Sequence, residues 1–238
     1  MGLRSGIDPL DAYLPEGLPE GFVVLIEGPL GVGKTLYNMA ASAARQGAPV
    51  LFFPIDAFTD EVLEELERRG APLGRVVAID GFIAPSERYV KLKPAVRHKL
   101  DAPDAHTLMN KLVEFSDDFK KGVVIVDSLN EVIMRSPGSA LEVFRAFKIF
   151  AKYTNSIIVA TIHTDMEELR NVVAVIRHLV DIVIELEVDP NLEKMGLYMR
   201  RMRVVRARRM RVPHDWIHYE TTDGRVVEVD IKTIKIII

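Results

Sequence analysis

A glycine-rich stretch, GPLGVGKT at residues 28–35, matches the pattern G-x-x-x-x-G-K-[ST]. The run FVVLIE at residues 22–27 precedes it and predicts a buried strand, because it is short, apolar and β-branched. The alanine-rich run at residues 36–47 follows it, ends in Gly47 and predicts a helix. A strand, a loop and a helix in this order are the context that distinguishes a phosphate-binding loop from a glycine-rich turn that only caps a helix.

The loop contains the chemistry that phosphate groups require. Backbone amides turned inward bind the anion, glycines allow the chain to approach closely, a lysine binds the β and γ oxygens, and a hydroxyl binds Mg²⁺. Lys34 and Thr35 are the expected lysine and hydroxyl. The residues expected to bind the nucleotide here are Gly28, Pro29, Leu30, Gly31, Val32, Gly33, Lys34 and Thr35.

A second candidate residue, Asp127, ends the strand-like run GVVIVD at residues 122–127. Four consecutive Val and Ile residues suit a strand that is buried on both faces. An acid at the end of such a strand can orient a Mg²⁺-bound water beside Thr35, so both residues are predicted metal ligands. The alternative is an ordinary aspartate that caps a turn with Ser128. The implied ligands are Mg²⁺ and a nucleoside triphosphate.

The composition of the chain excludes several classes of protein. The chain has 238 residues, of which 48% are hydrophobic and 27% charged, so we expect one globular domain spanning residues 1–238. A net charge of −3 gives no overall attraction to nucleic acid. The absence of cysteine excludes disulfides and thiolate metal sites. Without a signal-like start or a run of about 18 apolar residues, a cytoplasmic protein without membrane segments is predicted.

Strand-like and helix-like segments alternate along most of the chain, and Gly81 to Pro103 is predicted to be an exposed loop. After residue 198 the pattern changes to short alternating strands with a hairpin turn at Asp223 and Gly224. The predicted class is therefore α/β, with a mainly parallel central sheet, flanking helices and an antiparallel C-terminal extension. The predicted strands are residues 50–54, 76–79, 122–128, 156–162 and 181–188, and the predicted helices are residues 59–69, with Thr59 as cap, about 105–119, 139–153 and 166–179.

Four segments resemble RecA-type ATPases of the KaiC-like group, and more distantly the RadA-type recombinases. They are SGIDPLDAYLPEGLPEGFVVLIEGPLGVGKT, VLFFPIDA, GVVIVDSL and VVRARRMRVPH. The resemblance implies a RecA-like core that binds ATP. It also implies self-association into a ring, such as a hexamer, or a filament, with the nucleotide held between neighbours.

Members of this group with robust hydrolysis carry one or two glutamates just after the second strand, where this chain has Asp56 and Ala57. Such a carboxylate activates the attacking water, which is worth roughly 10²–10⁴-fold in rate. Aspartate keeps the chemistry but withdraws the carboxylate, and an error of ~1 Å can cost ~100-fold. We therefore expect slow hydrolysis, with Asp56 as the catalytic base. The alternative role for Asp56 is a polar residue in the turn before the next helix.

Three further residues are candidates through the resemblance. His163 follows a strand where RecA-like folds place a residue that senses the γ-phosphate, or it is an ordinary hydrogen-bonded histidine. Arg206 and Arg208 match the Lys-x-Arg pair that KaiC-like proteins extend toward the nucleotide of the next subunit, with arginine in place of the lysine. Such cations supplied in trans can be worth ~10³–10⁵ in rate. They belong to a run with seven arginines in fourteen residues, which otherwise indicates a solvated edge strand.

The expected function is therefore ATP binding with slow hydrolysis in a homo-oligomer whose sites are completed in trans. One alternative is a switch or scaffold that holds ATP without turnover and recruits a partner protein. Another is a recombinase-like ATPase that binds single-stranded or double-stranded DNA, supported by the arginine cluster. DNA binding is not favoured, because no stripe of aromatic residues accompanies the arginines.

Overall fold

The computed structural model describes residues 2–31, 35–83 and 97–231. The strands run along the chain as β1 (Val23–Gly28), β2 (Val50–Pro54), β3 (Val76–Ala78), β4 (Val123–Asp127), β5 (Ile157–His163), β6 (Ile182–Val188), β7 (Arg200–Ala207), β8 (Ile217–Thr222) and β9 (Arg225–Glu228). The helices are α1 (Asp8–Tyr13), α2 (Thr35–Arg45), α3 (Thr59–Arg68), α4 (Ala105–Glu114), α5 (Asn130–Arg135), α6 (Ala140–Thr154), α7 (Glu167–Ile176) and α8 (Pro190–Glu193). Short 3₁₀ turns occur at Leu73–Arg75 and Pro137–Ser139.

These strands form one sheet in the order β3-β2-β4-β5-β1-β6-β7-β8-β9. The first six strands in this order are parallel, and β7, β8 and β9 continue the sheet antiparallel. This confirms the predicted α/β class with a parallel centre and an antiparallel C-terminal extension. The central strand β1 lies between β5 and β6, so its carboxyl end opens at the middle of the sheet edge.

Successive side chains of each strand point to opposite faces of the sheet, and this divides the core into two layers. In β1, Val24 and Ile26 pack with α1, α2 and α3, whereas Val23 and Leu25 pack with α4, α5, α6 and α7. All six residues of β1 are buried, as expected for a parallel strand covered on both faces. Burying both faces of the central strands fixes their register, because a slip of one residue would exchange the two layers.

Several local expectations are confirmed. Gly47, the expected end of the helix after the glycine loop, follows α2 with a positive φ angle of 88°, as a C-terminal cap does. Gly70 follows α3 in the same way, with a φ angle of 73°. Asp223 and Gly224 connect β8 and β9 with φ angles of 50° and 76°, the left-handed pair that a tight hairpin turn requires.

Other local expectations are wrong. Thr59 is the first residue of α3 and not its cap: Phe58 occupies the cap position, and the Thr59 hydroxyl donates to Asp80 Oδ1 at 3.0 Å. The helix expected over residues 105–119 ends at Glu114. Helices α1, α5 and α8 were not predicted, because none of them is longer than six residues.

The predicted loop from Gly81 to Pro103 is described only in part, since residues 84–96 lie outside the described residues. Just before it, Asp80 bridges to Lys99, and Leu100 is buried, so the described end of this segment is not fully exposed. The apolar C-terminal run lies almost wholly outside the described residues, beyond Ile231. Among the helices that the structure describes, none combines the length and the apolar character needed to cross a bilayer.

Candidate functional site

A cleft of about 550 Å³ lies at the carboxyl ends of the parallel strands β1, β2, β4 and β5. In open α/β sheets this edge is where ligands bind, because loops and helix N-termini converge there. Four groups of predicted residues line this one cleft, namely the loop after β1, Asp56, Asp127 and His163. The residues lining the cleft are Ile26, Glu27, Gly28, Pro29, Gly31, Thr35, Leu36, Tyr37, Asp56, Ala57, Glu65, Arg69, Asp127, Thr161, Ile162, His163, Leu186, Arg200, Thr221 and Gly224.

The loop after β1 is shaped for close approach of the backbone. At Gly28, a Cβ would lie 2.4 Å from the carbonyl oxygen of Leu186 on β6, so no side chain fits. Gly31 has a φ angle of 80°, which favours glycine. The backbone amide of Leu30 donates to Asp165 Oδ2 at 2.7 Å. Gly28 thus lets the loop start tight against β6, and Gly31 allows it to turn sharply, while the Leu30 amide is bound to the Asp165 carboxylate. We call this part of the loop the Gly28 cradle.

Three of the predicted phosphate-binding residues lie outside the part of the chain that the structure describes. They are Val32, Gly33 and Lys34, and their roles stay predictions. Thr35, the first residue of α2, is 3% exposed and lines the cleft. Its position at the start of the helix also points the positive end of the helix dipole at the cleft.

Asp127 ends β4 and faces the same cleft as Thr35. The hydroxyl of Thr161 on β5 donates to Asp127 Oδ1 at 2.9 Å and orients the carboxylate. The Asp127 carbonyl oxygen accepts from the backbone amide of Ile55 at 2.6 Å, which joins the ends of β2 and β4. A hydroxyl and a carboxylate on neighbouring elements are oxygen ligands of the kind Mg²⁺ prefers.

A hydrogen-bonded chain connects Asp56 to His163 across the cleft. The buried Ser128 hydroxyl donates to Asp56 Oδ2, and it also lies 3.1 Å from Asn130 Oδ1. Asn130 Oδ1 in turn accepts the backbone amide of His163 at 2.9 Å. Asp56 and His163 are therefore held by two polar residues, Ser128 and Asn130, that follow the β4 aspartate within three positions. The sequence reasoning missed Asn130, although a polar Ser-x-Asn directly after a strand-end aspartate was a usable signal.

Cationic and aromatic residues line the far part of the cleft, and the sequence reasoning did not identify them. The Arg69 guanidinium lies 5.8 Å from the centre of the Tyr37 ring, and Arg69 Nη1 pairs with Glu65 Oε1 at 2.6 Å. Burial, together with the charges of Asp127 and Glu65, raises the pKa of Tyr37 to about 12, so its phenol stays protonated at neutral pH. Arg200, from β7, also lines this cleft.

Arg206 and Arg208 lie away from this cleft in the same chain. Arg206 pairs in register with Val183, near the amino end of β6, and Arg200 pairs with Val188 at the carboxyl end. Six residues of strand span about 20 Å, so the Arg206 end of β7 lies at the opposite edge of the sheet. Arg206 Nη1 donates to the Arg177 carbonyl and Arg208 Nη2 to the His178 carbonyl, each at 2.9 Å. Their predicted role in the site of a neighbouring subunit stays a prediction.

Two other arginines of β7 are held by carboxylates and an indole ring. Arg201 donates to Glu187 and to Asp189, the latter at 2.9 Å, and Arg203 donates to Glu185 at 2.7 Å. Both guanidinium groups lie 4.4 Å from the centre of the Trp216 ring. Their charges are therefore compensated within the chain.

Comparison with known proteins identifies the family. A family model described as "ATPase: KaiC" matches residues 3–233. A UPF0273 protein of Aeropyrum pernix is 26% identical over 98% of this chain and 96% of its own length. The UPF0273 protein PH0284 of Pyrococcus horikoshii is 23% identical over 154 residues, which are 61% of this chain and 62% of that protein.

The chain thus spans about three fifths of the length of that Pyrococcus horikoshii relative. The crystal structure of the KaiC-like protein PH0186 from Pyrococcus horikoshii has a TM-score of 0.74 at 16% identity, and the match covers 96% of this chain and 98% of that one. At this identity the match concerns the fold, and it agrees with the parallel sheet described above. The family model covers nearly the whole chain, and the chain therefore belongs to the KaiC ATPase family, within the RecA superfamily of P-loop ATPases.

Proposed function

We propose that this protein binds ATP with Mg²⁺ in the cleft and hydrolyses it slowly, in an assembly whose neighbouring copies complete each other's sites. The observation that carries the proposal is the convergence of the Gly28 cradle, Thr35 and Asp127 at the carboxyl edge of β1 and β4. Membership of the KaiC ATPase family supports the choice of ATP. The assembly and the trans site rest on the resemblance of Arg206 and Arg208 to the family pair.

Each residue of the phosphate end would have a defined task. The loop amides would bind phosphate oxygens, and Lys34 would bind the β and γ oxygens. The Thr35 hydroxyl and the Asp127 carboxylate would hold Mg²⁺, which supplies charge stabilisation for phosphoryl transfer. The hydrogen bond from Thr161 keeps the Asp127 carboxylate oriented, which lowers the entropy lost when the ligands close around the nucleotide.

Asp56 would orient the attacking water. Ser128 binds Asp56 Oδ2, so that Oδ1 would be the oxygen that accepts from the water. This hydrogen bond holds the carboxylate toward Ser128, and the shorter side chain of aspartate places it further from the phosphate end than a glutamate would. Both effects support a low rate. His163, whose backbone is tied to Asn130, would report the γ-phosphate to this same chain of hydrogen bonds.

Titration calorimetry with ATP, ADP and a non-hydrolysable ATP analogue, each with Mg²⁺, tests the binding proposal. We expect saturable heat with ATP that is lost in Lys34→Ala, and no heat at millimolar nucleotide would refute it. Light scattering after size exclusion, with and without the analogue, tests the assembly. A single monomeric mass under every condition would refute the shared site.

Mixing Arg208→Ala with Lys34→Ala tests the trans arginines directly, because each variant lacks a different half of a shared site. If each arginine serves a neighbour, an Arg208→Ala subunit keeps its own nucleotide loop and receives the arginine of an adjacent Lys34→Ala subunit, so the mixture regains ATPase activity that neither variant has alone. No recovery of activity in mixed assemblies would refute the shared site. His178 offers a control, because its imidazole takes no part in the backbone contact to Arg208, so His178→Gln should keep the wild-type rate.

A second candidate function is an ATP-bound switch that recruits a partner protein without turnover. The observation that favours it is Asp56 in the position of the family's glutamate, with Ala57 beside it. Single-turnover hydrolysis of labelled ATP separates the two functions. A switch leaves the ATP intact over hours, whereas the slow enzyme converts it to ADP and phosphate.

A further inference from the structure

Asp181 is a buried carboxylate at the amino end of the sheet, at the edge opposite the nucleotide cleft. It directly precedes β6, and its side chain is 6% exposed. Its Oδ2 accepts the backbone amide of Val23 at 3.0 Å, which joins the start of β1 to the start of β6. A carboxylate buried in this way needs cations or donors around it. The groups that compensate its charge therefore indicate what else it holds in place.

Two cationic side chains share the other oxygen of Asp181. Lys148 of α6 donates from Nζ to Asp181 Oδ1, and Arg208 Nε lies 4.0 Å from the same atom. The backbone amide of Arg208 also donates to the Asp181 carbonyl oxygen at 2.8 Å. Asp181 thus contacts Arg208 through its main chain and through its carboxylate.

The same segment of the chain holds the far end of the Arg208 side chain. Arg208 Nη2 donates to the carbonyl oxygen of His178 at 2.9 Å, just beyond the end of α7. Carbonyl groups at the end of a helix attract cations, because the helix dipole is negative there. Nε thus faces the Asp181 carboxylate and Nη2 faces the His178 carbonyl, while 41% of the Arg208 side chain stays exposed. This arrangement directs an arginine that can still be reached from outside.

We propose that Asp181 is a positioning residue that orients Arg208 for the nucleotide of a neighbouring copy. This inference rests on the shared site of the proposed function and assigns the residue that prepares its arginine. An exposed arginine samples many rotamers, and fixing it before contact lowers the entropy lost when it meets a phosphate. Asp181 acts only in the copy that supplies the arginine, because its carboxylate and the nucleotide cleft lie at opposite edges of the sheet.

The test uses this one-sided role in mixtures of two inactive variants. Lys34→Ala subunits supply the arginine, and Arg208→Ala subunits supply the cleft that receives it. Asp181→Asn is added to the Lys34→Ala subunit in a first mixture and to the Arg208→Ala subunit in a second. Asparagine keeps an oxygen for the Val23 amide and removes the charge. Asp181→Ser is a second variant without the charge, and thermal unfolding without nucleotide checks that every variant is folded.

We expect the recovered ATPase rate to fall about tenfold in the first mixture and to change less than about twofold in the second, since misplacing a reacting group by ~1 Å can cost ~100-fold. A purely structural role would lower both rates equally. Lys148→Gln in the Lys34→Ala subunit is the matched control, because it removes the other cation on Asp181 and leaves Arg208 its carboxylate. This control should keep the recovered rate.

Equal falls in the two mixtures, or an unchanged rate in the first, would overturn the positioning role of Asp181. A fall with Lys148→Gln as large as that with Asp181→Asn would overturn it too. Failure of the parent mixture of Lys34→Ala and Arg208→Ala to regain activity would instead contradict the shared site of the proposed function.

Discussion

Glu27 is a buried carboxylate that lies directly before the phosphate-binding loop. We predict that the positive charge of Arg177 is needed to compensate the charge of Glu27 in the folded protein. The Glu27 side chain is 1% exposed, and it binds the Arg177 guanidinium through both oxygens, with Nε donating to Oε2 at 3.0 Å. Arg177 follows α7, on the other side of the sheet from α2. The perturbation is Arg177→Gln, which removes the positive charge and leaves the carboxylate in place.

The expected cost follows from the burial of the two partners. Removing one partner of a buried ion pair typically costs 3–5 kcal/mol, because the remaining charge is uncompensated. The Arg177 side chain is 38% exposed, so water already screens part of the attraction and the lower end of the range applies. We expect Arg177→Gln to lower the free energy of unfolding by about 3 kcal/mol at pH 7.5. For a chain of this size the melting temperature would fall by roughly 6–12 °C.

The loss of stability in Arg177→Gln should depend on pH, because the variant changes the pKa of Glu27. Burial raises the pKa of Glu27 above its ordinary value, while the hydrogen bond and charge of Arg177 lower it again. Without Arg177 the pKa of Glu27 rises further, so the folded variant binds a proton at a pH where the unfolded chain does not. Stability then increases as the pH falls toward this folded pKa. The deficit of Arg177→Gln is therefore largest above neutral pH and shrinks toward pH 5.

Urea unfolding at pH 5 and pH 8 measures the effect, with the double variant Glu27→Gln/Arg177→Gln as the internal test. Removing the carboxylate charge should restore about 2 kcal/mol at pH 8 relative to Arg177→Gln alone. Arg170→Gln is the control, because this arginine of α7 donates only to a nearby backbone carbonyl in the described chain. A deficit below about 1 kcal/mol, or one that is equal at both pH values, would refute the reasoning.

Three further outcomes are expected. Gly28→Ala places a methyl group 2.4 Å from a backbone carbonyl, so it should abolish ATP binding in calorimetry and cost about 2 kcal/mol in urea unfolding. Ser128→Ala removes the hydrogen bond that holds the Asp56 carboxylate toward Ser128, so it should raise the ATPase kcat at least threefold while KM stays within twofold; an unchanged or lower kcat would contradict a rate limited by this bond. Although burial alone would raise it, the pKa of Asp189 is lowered to about 2 by hydrogen bonds from His218 and two backbone amides and by a nearby guanidinium. Asp189→Asn should therefore cost about 2 kcal/mol at pH 7, a deficit that disappears as the pH falls through this folded pKa, and acid titration of stability measures it.

The order and type of the elements could be predicted because short-range patterns determine them. Runs of Val and Ile marked the buried strands, and Asp223-Gly224 marked the hairpin turn. Thr59 shows the limit of this reasoning: a threonine before an acidic segment favours a cap, but a buried partner at Asp80 binds its hydroxyl instead. That competition depends on a residue 21 positions away and cannot be seen in the local pattern.

A residue of the candidate site could be predicted only where its own stretch of sequence carries a recognisable motif. The loop after β1 and Asp127 carry their own signals, but Tyr37 and Arg69 reach the cleft through tertiary packing. Arg200 was one of seven arginines in a single run, and only the strand register separates it from the others. Register across β6 and β7 includes a bulge between Val183 and Ile184, which simple alternation does not predict.

Strand β7 places the two ends of the arginine-rich run at opposite edges of the sheet. Its first arginine, Arg200, lines the cleft of its own chain, and Arg206 lies about 20 Å away at the opposite edge. An arginine side chain is far too short to cross that distance, so Arg206 can serve a nucleotide only if another copy brings its carboxyl edge against this amino edge. A contact between two different edges is heterologous, and repeating it gives a closed ring or an open filament and excludes a two-fold dimer. The trans role proposed for Arg206 and a symmetric dimer through this contact are therefore incompatible, and the mass measured with bound nucleotide distinguishes them.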